Sequence, residues 1–536
     1  MPVNSTHADH DAALPGWIRA RDLLAGEDAV KAAGVKYLPR LEAQTDEEYS
    51  AYRSRACFFN ATRRAADAFV GLVFRKAPFV RIPEAGSNSP NPLPNSERAT
   101  RRAASGIGGA MSGFANDADM LGTSLFGYAK KIVQEVVAVG RAGTLVDWEG
   151  DFEKRAYATA YRAEDVRNWR AERVNGRNVP TMIVLAEKAQ SGKQKGEFDA
   201  FASDEIEQMR VLRLVPGDPP SQGFGATSGT SGWRYEVEVW RQEEIAAGGA
   251  EARRKVKWVL FESRVPLRLG RPLPLIPFVF HGPQHCLPDV DRMPLSDLMV
   301  LNLDHYRLDA DFKHGLHYTA LPTAWVAGFE KTGTLTIGSR VAWVSENEKA
   351  TAGFLEFSGD GLGTFERAIE RDERQMAVLG TQVLENQIRV AETATAIMLR
   401  QAGENSVLAN IATSVSESLT QVMRWVYWWN STEALPEMVT DGQVLVELNT
   451  DFGITGMQSG ELAAVVKAWK DGAMSQDSML ELFRKREILP EGRSNADEAR
   501  LIEAGNPKAE DGSPQAEGAL SEGSAMGQEG VVASNQ

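Results

Sequence analysis

The sequence predicts an α+β fold, and three observations lead to it. Two long charged stretches, 294–322 and 362–385, have helical spacing and flank an insert, 322–359, that is strand-like and rich in turn residues. A series of short strand-like segments occupies much of the chain before residue 290. A third helix, very long by globular standards, is expected from about Ala391 to Trp429.

Taken in order, residues 16–34 read as a polar helix, and a stronger helix is predicted over 46–75. There Phe58, Ala61, Ala65, Phe69 and Leu72 recur at spacings of three and four, which puts them on one face, and Pro78 stops the run. A Pro/Ser/Asn loop follows through residue 98, then a Gly- and Ala-rich helical stretch over 99–127. Tyr128–Val137 and Gly143–Trp148 read as strands. The stretch 157–189 reads as a short helix, a turn at Asn175-Gly176 and a strand. Further strands are expected over 208–215, 233–242, 255–263 and 273–280, with Tyr235, Val237 and Val239 alternating against Glu236 and Glu238. Beyond the long helices come a short strand within 443–452 and two helices, 459–472 and 475–488, each opened by a serine suited to an N-cap. From about Glu491 the chain is Glu, Gly, Ser, Ala and Gln, a composition expected to remain disordered.

Bulk composition narrows the function classes. The chain has 536 residues, 43% hydrophobic and 25% charged, which suits two to four domains of ordinary soluble protein. No apolar run reaches the ~18 residues needed to span a bilayer, and the N-terminus lacks the pattern of a signal peptide, so a cytoplasmic setting is expected. Two cysteines, Cys57 and Cys286, argue against a disulfide scaffold. A net charge of −14 argues against gripping nucleic acid over the whole surface, while an acidic wall would let phosphate slide past without sticking.

The sequence offers few groups arranged for chemistry. In 105–113 Gly106 and Gly108 are placed as in a dinucleotide loop, but Met111 replaces the third glycine and no strand leads in, so close helix packing is expected. His281 and His285 stand four apart beside Cys286, but Pro283 and Pro288 break the segment. Asp304, His305, Asp309, Asp311, His314 and His317 lie on a helix without a HExxH or paired CxxC pattern; polar residues facing another subunit are the expectation. Glu366, Glu370, Asp372 and Glu373 alternate with Arg367, Arg371 and Arg374, off an apolar stripe of Phe365, Ile369, Met376, Leu379 and Val383. Acid–base chemistry would need burial to shift a pKa, so a solvated or intersubunit face is expected. Trp425, Trp428 and Trp429 are spaced as a core stripe rather than a base-stacking platform. No P-loop, GxSxG motif or nucleophile with its base is found, and no catalytic residue, metal or cofactor is expected. The connection 385–396, with Asn386, Gln387, Arg389, Glu392 and Thr393, is either a plain helix-to-helix turn or a loop facing a lumen.

Six segments carry a resemblance: 55–78, 160–170 with 184–188, 272–282, 293–323, 392–412, and 448–475. In that order the sequence resembles a bacteriophage portal protein, in the portal-like group often described only as a domain of unknown function. The resemblance implies a multidomain ring subunit with long stem helices, a β-rich wing and a small α/β clip. The wing would take residues 1–292, the first stem helix 293–318, the clip 319–360 and the second stem helix 361–385. The tunnel loop would take 386–394, the long wing helix and its return 395–454, the crown 455–490 and a disordered tail 491–536.

Function follows from the resemblance as an expectation. The ring, usually dodecameric, would sit at one capsid vertex of the virion after assembly in the host cytoplasm. It would pass double-stranded DNA without reading sequence during packaging and ejection. Its partners would be the large terminase, head-completion or adaptor proteins, and capsid and scaffold proteins, with no membrane involved. The tunnel loop would offer Asn386, Gln387, Arg389 and Glu392, the stem would line the channel with Glu366, Glu370 and Glu373, and the clip surface would carry Lys331, Arg340 and Glu346. Two rival readings remain: a metal-dependent enzyme using His281, His285 and the 304–317 cluster, and a phage structural protein without a channel.

Overall fold

A computed structural model of the chain describes residues 2–81, 110–150, 152–174, 177–190, 205–216, 233–245, 255–320, 323–329, 343–355, 361–380, 394–431, 444–450, 452, 459–485, 488–489 and 495–505. It divides into two compact units, Met1–Phe452 and Gly453–Gln536.

The helices of the first unit are α1 (Ala8–Ala25), α2 (Glu27–Ala32), α3 (Asp46–Arg55), α4 (Ala61–Val73), α5 (110–116), α6 (Leu125–Val139), α7 (Ser296–Ala320), α8 (Leu362–Gly380) and α9 (Ala394–Asn430). Its strands are β1 (Phe79–Arg81), β2 (Ala142–Glu149), β3 (Arg155–Arg162), β4 (Val166–Val174), β5 (Arg177–Gln190), β6 (Glu205–Pro216), β7 (Trp233–Ile245), β8 (Lys255–Arg264), β9 (Leu267–Arg268), β10 (Arg271–Pro272), β11 (Phe278–His281), β12 (Thr323–Ala327), β13 (Thr351–Leu355) and β14 (Leu445–Glu447). Helices and antiparallel sheets alternate in blocks, so the α+β expectation holds.

Two sheets organise this unit. Strands β4 to β8 form an antiparallel meander in chain order, and β11, β2 and β3 form a smaller antiparallel sheet. The second half of α9 lies against the smaller sheet, burying Val415, Leu419, Val422 and Val426. In that sheet Gly143 faces Phe278, whose ring would stand 2.3 Å from any Cβ. Trp425, Trp428 and Trp429 are buried, and Trp429 stacks on Trp148 with ring centroids 6.0 Å apart, so these tryptophans belong to the core.

Five segments of this unit depart from the sequence expectation: the helix expected over 16–34 is two, α1 and α2, parted at Gly26, whose φ is 109°, and the helical stretch expected over 99–127 is interrupted at 117–124. Residues 125–139 are a helix, not a strand. The valines favour a strand by propensity, but Ser124 caps the N-terminus by accepting from Gly127 N, and Gly140, at φ 75°, closes the C-terminus. Ile132, Val133, Val136 and Val137 then recur at helical spacing on the buried face, while Phe126, Lys130, Lys131 and Gln134 stay exposed. Residues 155–174 form β3 and β4 around one 3₁₀ turn (Ala163–Asp165), where a short helix is expected from the polar sequence. The single helix expected over 46–75 is two, α3 and α4. The break falls at 56–60, where Ala56 is extended and the Asn60 side chain starts α4 by accepting from Arg63 N.

The second unit holds α10 (Ser459–Lys470), α11 (Gln476–Lys485) and α12 (Asn495–Gly505). Ser475 caps α11 through Ser478 N at 3.1 Å. Helix α12 lies in the stretch expected to be disordered. Asn495 ties it to α11 by accepting from Arg484 at 2.7 Å and donating to Asp477 at 3.2 Å, and Asp497 and Glu498 complement the positive end of its dipole. Residues 506–536 lie outside the described set. Among the described residues no helix is long and apolar enough to cross a membrane.

Candidate functional site, a helical arm with a β tip

Helices α7 and α8 pack antiparallel along their whole length. At one end Leu298 meets Gly380; midway His305 Nε2 stands 3.6 Å from Glu373 Oε1; at the other end Gly315 meets Leu362. The helices reach this close because two glycines take the crowded positions. A Cβ on Gly315 would lie 2.8 Å from Leu362 Cδ2, and one on Gly380 2.9 Å from Leu298 Cδ2 and 3.1 Å from Ala65 Cβ. Beyond the helices the same pairing passes into a two-stranded ladder, β12 against β13, with Thr323 opposite Leu355 and Ala327 opposite Thr351. Helix and ladder together make one long hairpin. Its α7 rail alone, 25 residues, is about 37 Å long at 1.5 Å per residue.

The base of this arm is tied to the body by polar side chains of α7. Buried Asn302 accepts from Thr62 N (3.1 Å) and Thr62 Oγ1 (2.9 Å) and donates to Phe59 O (2.7 Å), so its amide serves the first turn of α4 and the residue just before it. Asp309 accepts from Cys57 N at 2.7 Å, and Asp311 accepts the Tyr52 hydroxyl proton at 2.5 Å. Burial, with Asp311 beside it, raises the Tyr52 phenol well above its usual range. Arg55 lies 3.2 Å from His314, whose pKa is lowered by burial and by that guanidinium. The break between α3 and α4 is thus where α7 docks. No local sequence signal marks it, because its partners lie some 250 residues away.

Burial decays outward from this base. Leu298, Met299, Leu303, Tyr306 and Ala310 are buried on α7, and Asp372, Met376 and Gly380 on α8. Residues 311–320 and 361–371 are half-buried or exposed. At the tip Trp325, Val326 and Phe354 are exposed, and Val344 is 85% exposed. A two-stranded ladder with apolar side chains in water is marginal by itself.

The expected site residues divide between described and undescribed positions. Glu366, Glu370 and Glu373 are exposed, at spacings of four and three along one face of α8, and Glu370 pairs with Arg374 at 3.0 Å. Glu346 is exposed in the segment leading to β13. Lys331, Arg340, Asn386, Gln387, Arg389 and Glu392 lie outside the described residues, as does Val383. The apolar stripe is corrected: Leu379 is 47% exposed, while Asp372 is buried in the row of Met376 and Gly380. Close approach at Gly380, rather than leucine burial, sets which face of α8 turns inward. The inward place of Asp372 has no sequence signal, because a carboxylate reads as surface. Here Arg371 partners one of its oxygens at 3.1 Å.

The histidines of the metal reading are separated. His281 is fully buried, its Nε2 2.6 Å from Thr144 Oγ1 and its Nδ1 2.7 Å from Ser418 Oγ, and burial lowers its pKa to about 3. Both ring nitrogens are taken, so it serves as a polar tie between the small sheet and α9. His285 faces Asp291 at 3.2 Å. His305 is buried against Phe59 in the arm's base, and His314 borders Tyr52 and Tyr318. Among the described residues no three His, Cys, Asp or Glu side chains gather to hold a metal ion.

A family described as a domain of unknown function, DUF4055, matches residues 294–430, the stretch from the start of α7 to the end of α9. No curated protein matches the chain. Three solved chains come from gene transfer agent (GTA) particles. One, from the virion of a native particle, is 13% identical over 86% of this chain and 99% of that one, with a TM-score of 0.34. A second, from the neck of a native particle computed with C12 symmetry, is 10% identical over 84% and 97%, at 0.34. A third, from the neck of an empty particle computed with C6 symmetry, is 13% identical over 84% and 97%, at 0.35. These likenesses are distant, and the functional reading rests on the arm itself.

Proposed function

We propose that this chain is a phage portal subunit, a structural component that assembles into a ring and conducts double-stranded DNA. The observation that carries the reading is the arm: a glycine-packed helical hairpin, anchored at its base, whose outer half is no more than half-buried and whose apolar tip is exposed among the described residues. Copies side by side would supply that burial. In this reading α7 and α8 are the stem, the 319–360 segment is the clip that meets terminase and later head-completion proteins, and residues 1–292 with α9 form the wing. Residues 386–394 are the tunnel loop and 455–490 the crown.

The chemistry is electrostatic rather than catalytic. Glu366, Glu370 and Glu373 stand on one exposed face of α8, and a ring multiplies each by its copy number. A passage lined with carboxylates repels phosphate at every point of the duplex, so DNA passes without a sticking site or a sequence preference.

The test is the assembly state. Purified protein is weighed by light scattering and imaged by negative-stain electron microscopy. The reading expects rings with a central hole wide enough for a duplex; a chain that stays monomeric at high concentration rejects it.

A further inference from the structure

The hairpin of β9 and β10 holds an unfavourable arrangement that the chain alone does not repay. Arg271 pairs with Arg268 and Pro272 with Leu267, which leaves Leu269 and Gly270 as the turn. Their φ angles are 51° and 74°, the left-handed values that a two-residue I′ turn requires at both positions. Gly270 adopts this freely. Leu269 does not, since a branched L side chain clashes with its own backbone there, and Asn or Asp is the usual choice. Yet Leu269 is 70% exposed, and Leu260, Phe261, Val265 and Leu267 are exposed with it. Backbone strain kept at a solvent-facing leucine, amid other exposed apolar side chains, points to a functional role for this tip. The hairpin's root is fixed, since Arg268 donates to Ser431 O at 2.6 Å and stacks over Trp428 at 4.3 Å. The tip is therefore pre-formed rather than loose.

The same chain carries a cleft with an apolar wall. A cavity of about 860 Å³ opens between residues 6–9, strands β4 and β5, the 286–289 loop and the end of α9. Leu275, Ile276, Val279, Phe280 and Leu287 make an apolar wall, with Asp9 and Asp289 among the polar lining and Arg170 as a basic member. No residue of the 267–272 hairpin lines it. Leucines at the tip match the wall, and the exposed Arg271 matches the two carboxylates.

We propose that Leu269 of one copy inserts into this cleft of the next copy. Knob and hole are different sets of residues, so the contact is heterologous, the kind that makes a ring when its rotation closes. The inference rests on the ring reading and assigns that ring a specific subunit contact.

The test uses the full chain and sedimentation velocity. Leu269→Asn removes the knob and suits the left-handed φ. Its assembly should weaken at least tenfold while the thermal midpoint of the dissociated chain holds or rises. The charge swap Arg271→Glu should weaken assembly likewise, and adding Asp289→Arg should restore it. Finally, Leu269→Cys in a Cys57→Ser background should cross-link between copies to the native Cys286 through a short bis-maleimide. Leu269→Asn rings as stable as wild type overturn the knob. A Leu269→Cys product that survives Cys286→Ser overturns the cleft as its seat. Wild-type protein that never assembles rejects the ring reading itself, an outcome distinct from both.

Discussion

Gly380 of α8 lies so close to Leu298 of α7 that a Cβ added to the glycine would stand 2.9 Å from the leucine's Cδ2, with Ala65 Cβ on its other side at 3.1 Å. Three helices meet at that point with no room for one methyl group. Gly380→Val should cost about 1–3 kcal/mol in urea denaturation, the range for overpacking a filled site. Gly363, on the same helix with open space around it, should accept alanine without loss.

Asn302 carries three buried hydrogen bonds to Phe59 and Thr62. Asn302→Ala leaves the Thr62 N–H and hydroxyl and the Phe59 carbonyl without partners, and stability should fall by about 2–4 kcal/mol. Asn302→Asp keeps the two acceptor contacts and loses the donor, so its loss should be smaller near pH 4, where the carboxyl regains a proton, than at neutral pH. Denaturant titrations at the two pH values separate the variants.

His281 is held neutral by burial, with a folded pKa lowered to about 3 from 6.5. The unfolded chain takes up a proton below about pH 6.5 and the folded chain does not, so protons favour unfolding through this group. Its contribution should be constant above pH 6.5 and fall as pH drops toward 3, by about 2–3 kcal/mol at roughly pH 4.5. In His281→Asn that part of the acid sensitivity should vanish while the carboxylate-driven part remains. Stability measured between pH 4 and 8 for both proteins gives the difference directly.

Replacing Glu366 and Glu370 with lysine converts the exposed outer face of α8 from acid to base and leaves both the Glu373–His305 contact and the buried Asp372–Met376–Gly380 row in place. The double variant should fold as the parent does and bind duplex DNA with an affinity that falls steeply with salt, where the parent binds none. Fluorescence anisotropy on a labelled duplex, repeated over a salt series, reads the change. A variant indifferent to DNA would remove α8 from the channel wall.

Much of the architecture is visible in local pattern. The helices at Ser296–Ala320, Leu362–Gly380 and Ala394–Asn430 follow from length and spacing alone, and so does the tryptophan stripe at 425–429. What local pattern misreads is set by partners distant in the chain. Helix α6 carries its valines on a deeply buried face, and its caps, Ser124 and Gly140, mark it as a helix where valine content suggests a strand. The break at 56–60 exists because Asp309 and Asn302 supply hydrogen bonds there. Glu366, Glu370 and Glu373 read as surface, and they are; the inward place of Asp372 required the helix contact geometry.

The hairpin that runs from Leu298 opposite Gly380 to Thr323 opposite Leu355 has a mechanical consequence. Its two rails are keyed together by a glycine at each end of the helical part, and sliding one past the other would drive a leucine into backbone at both keys. Such a pair resists shear, so it behaves as a strut and not as a hinge. A push delivered at the Gly315–Leu362 end of the helices is carried along both rails to Asn302, where it meets Thr62 and the short non-helical joint between α3 and α4. That joint, rather than any point along the arm, is where the molecule would yield under load.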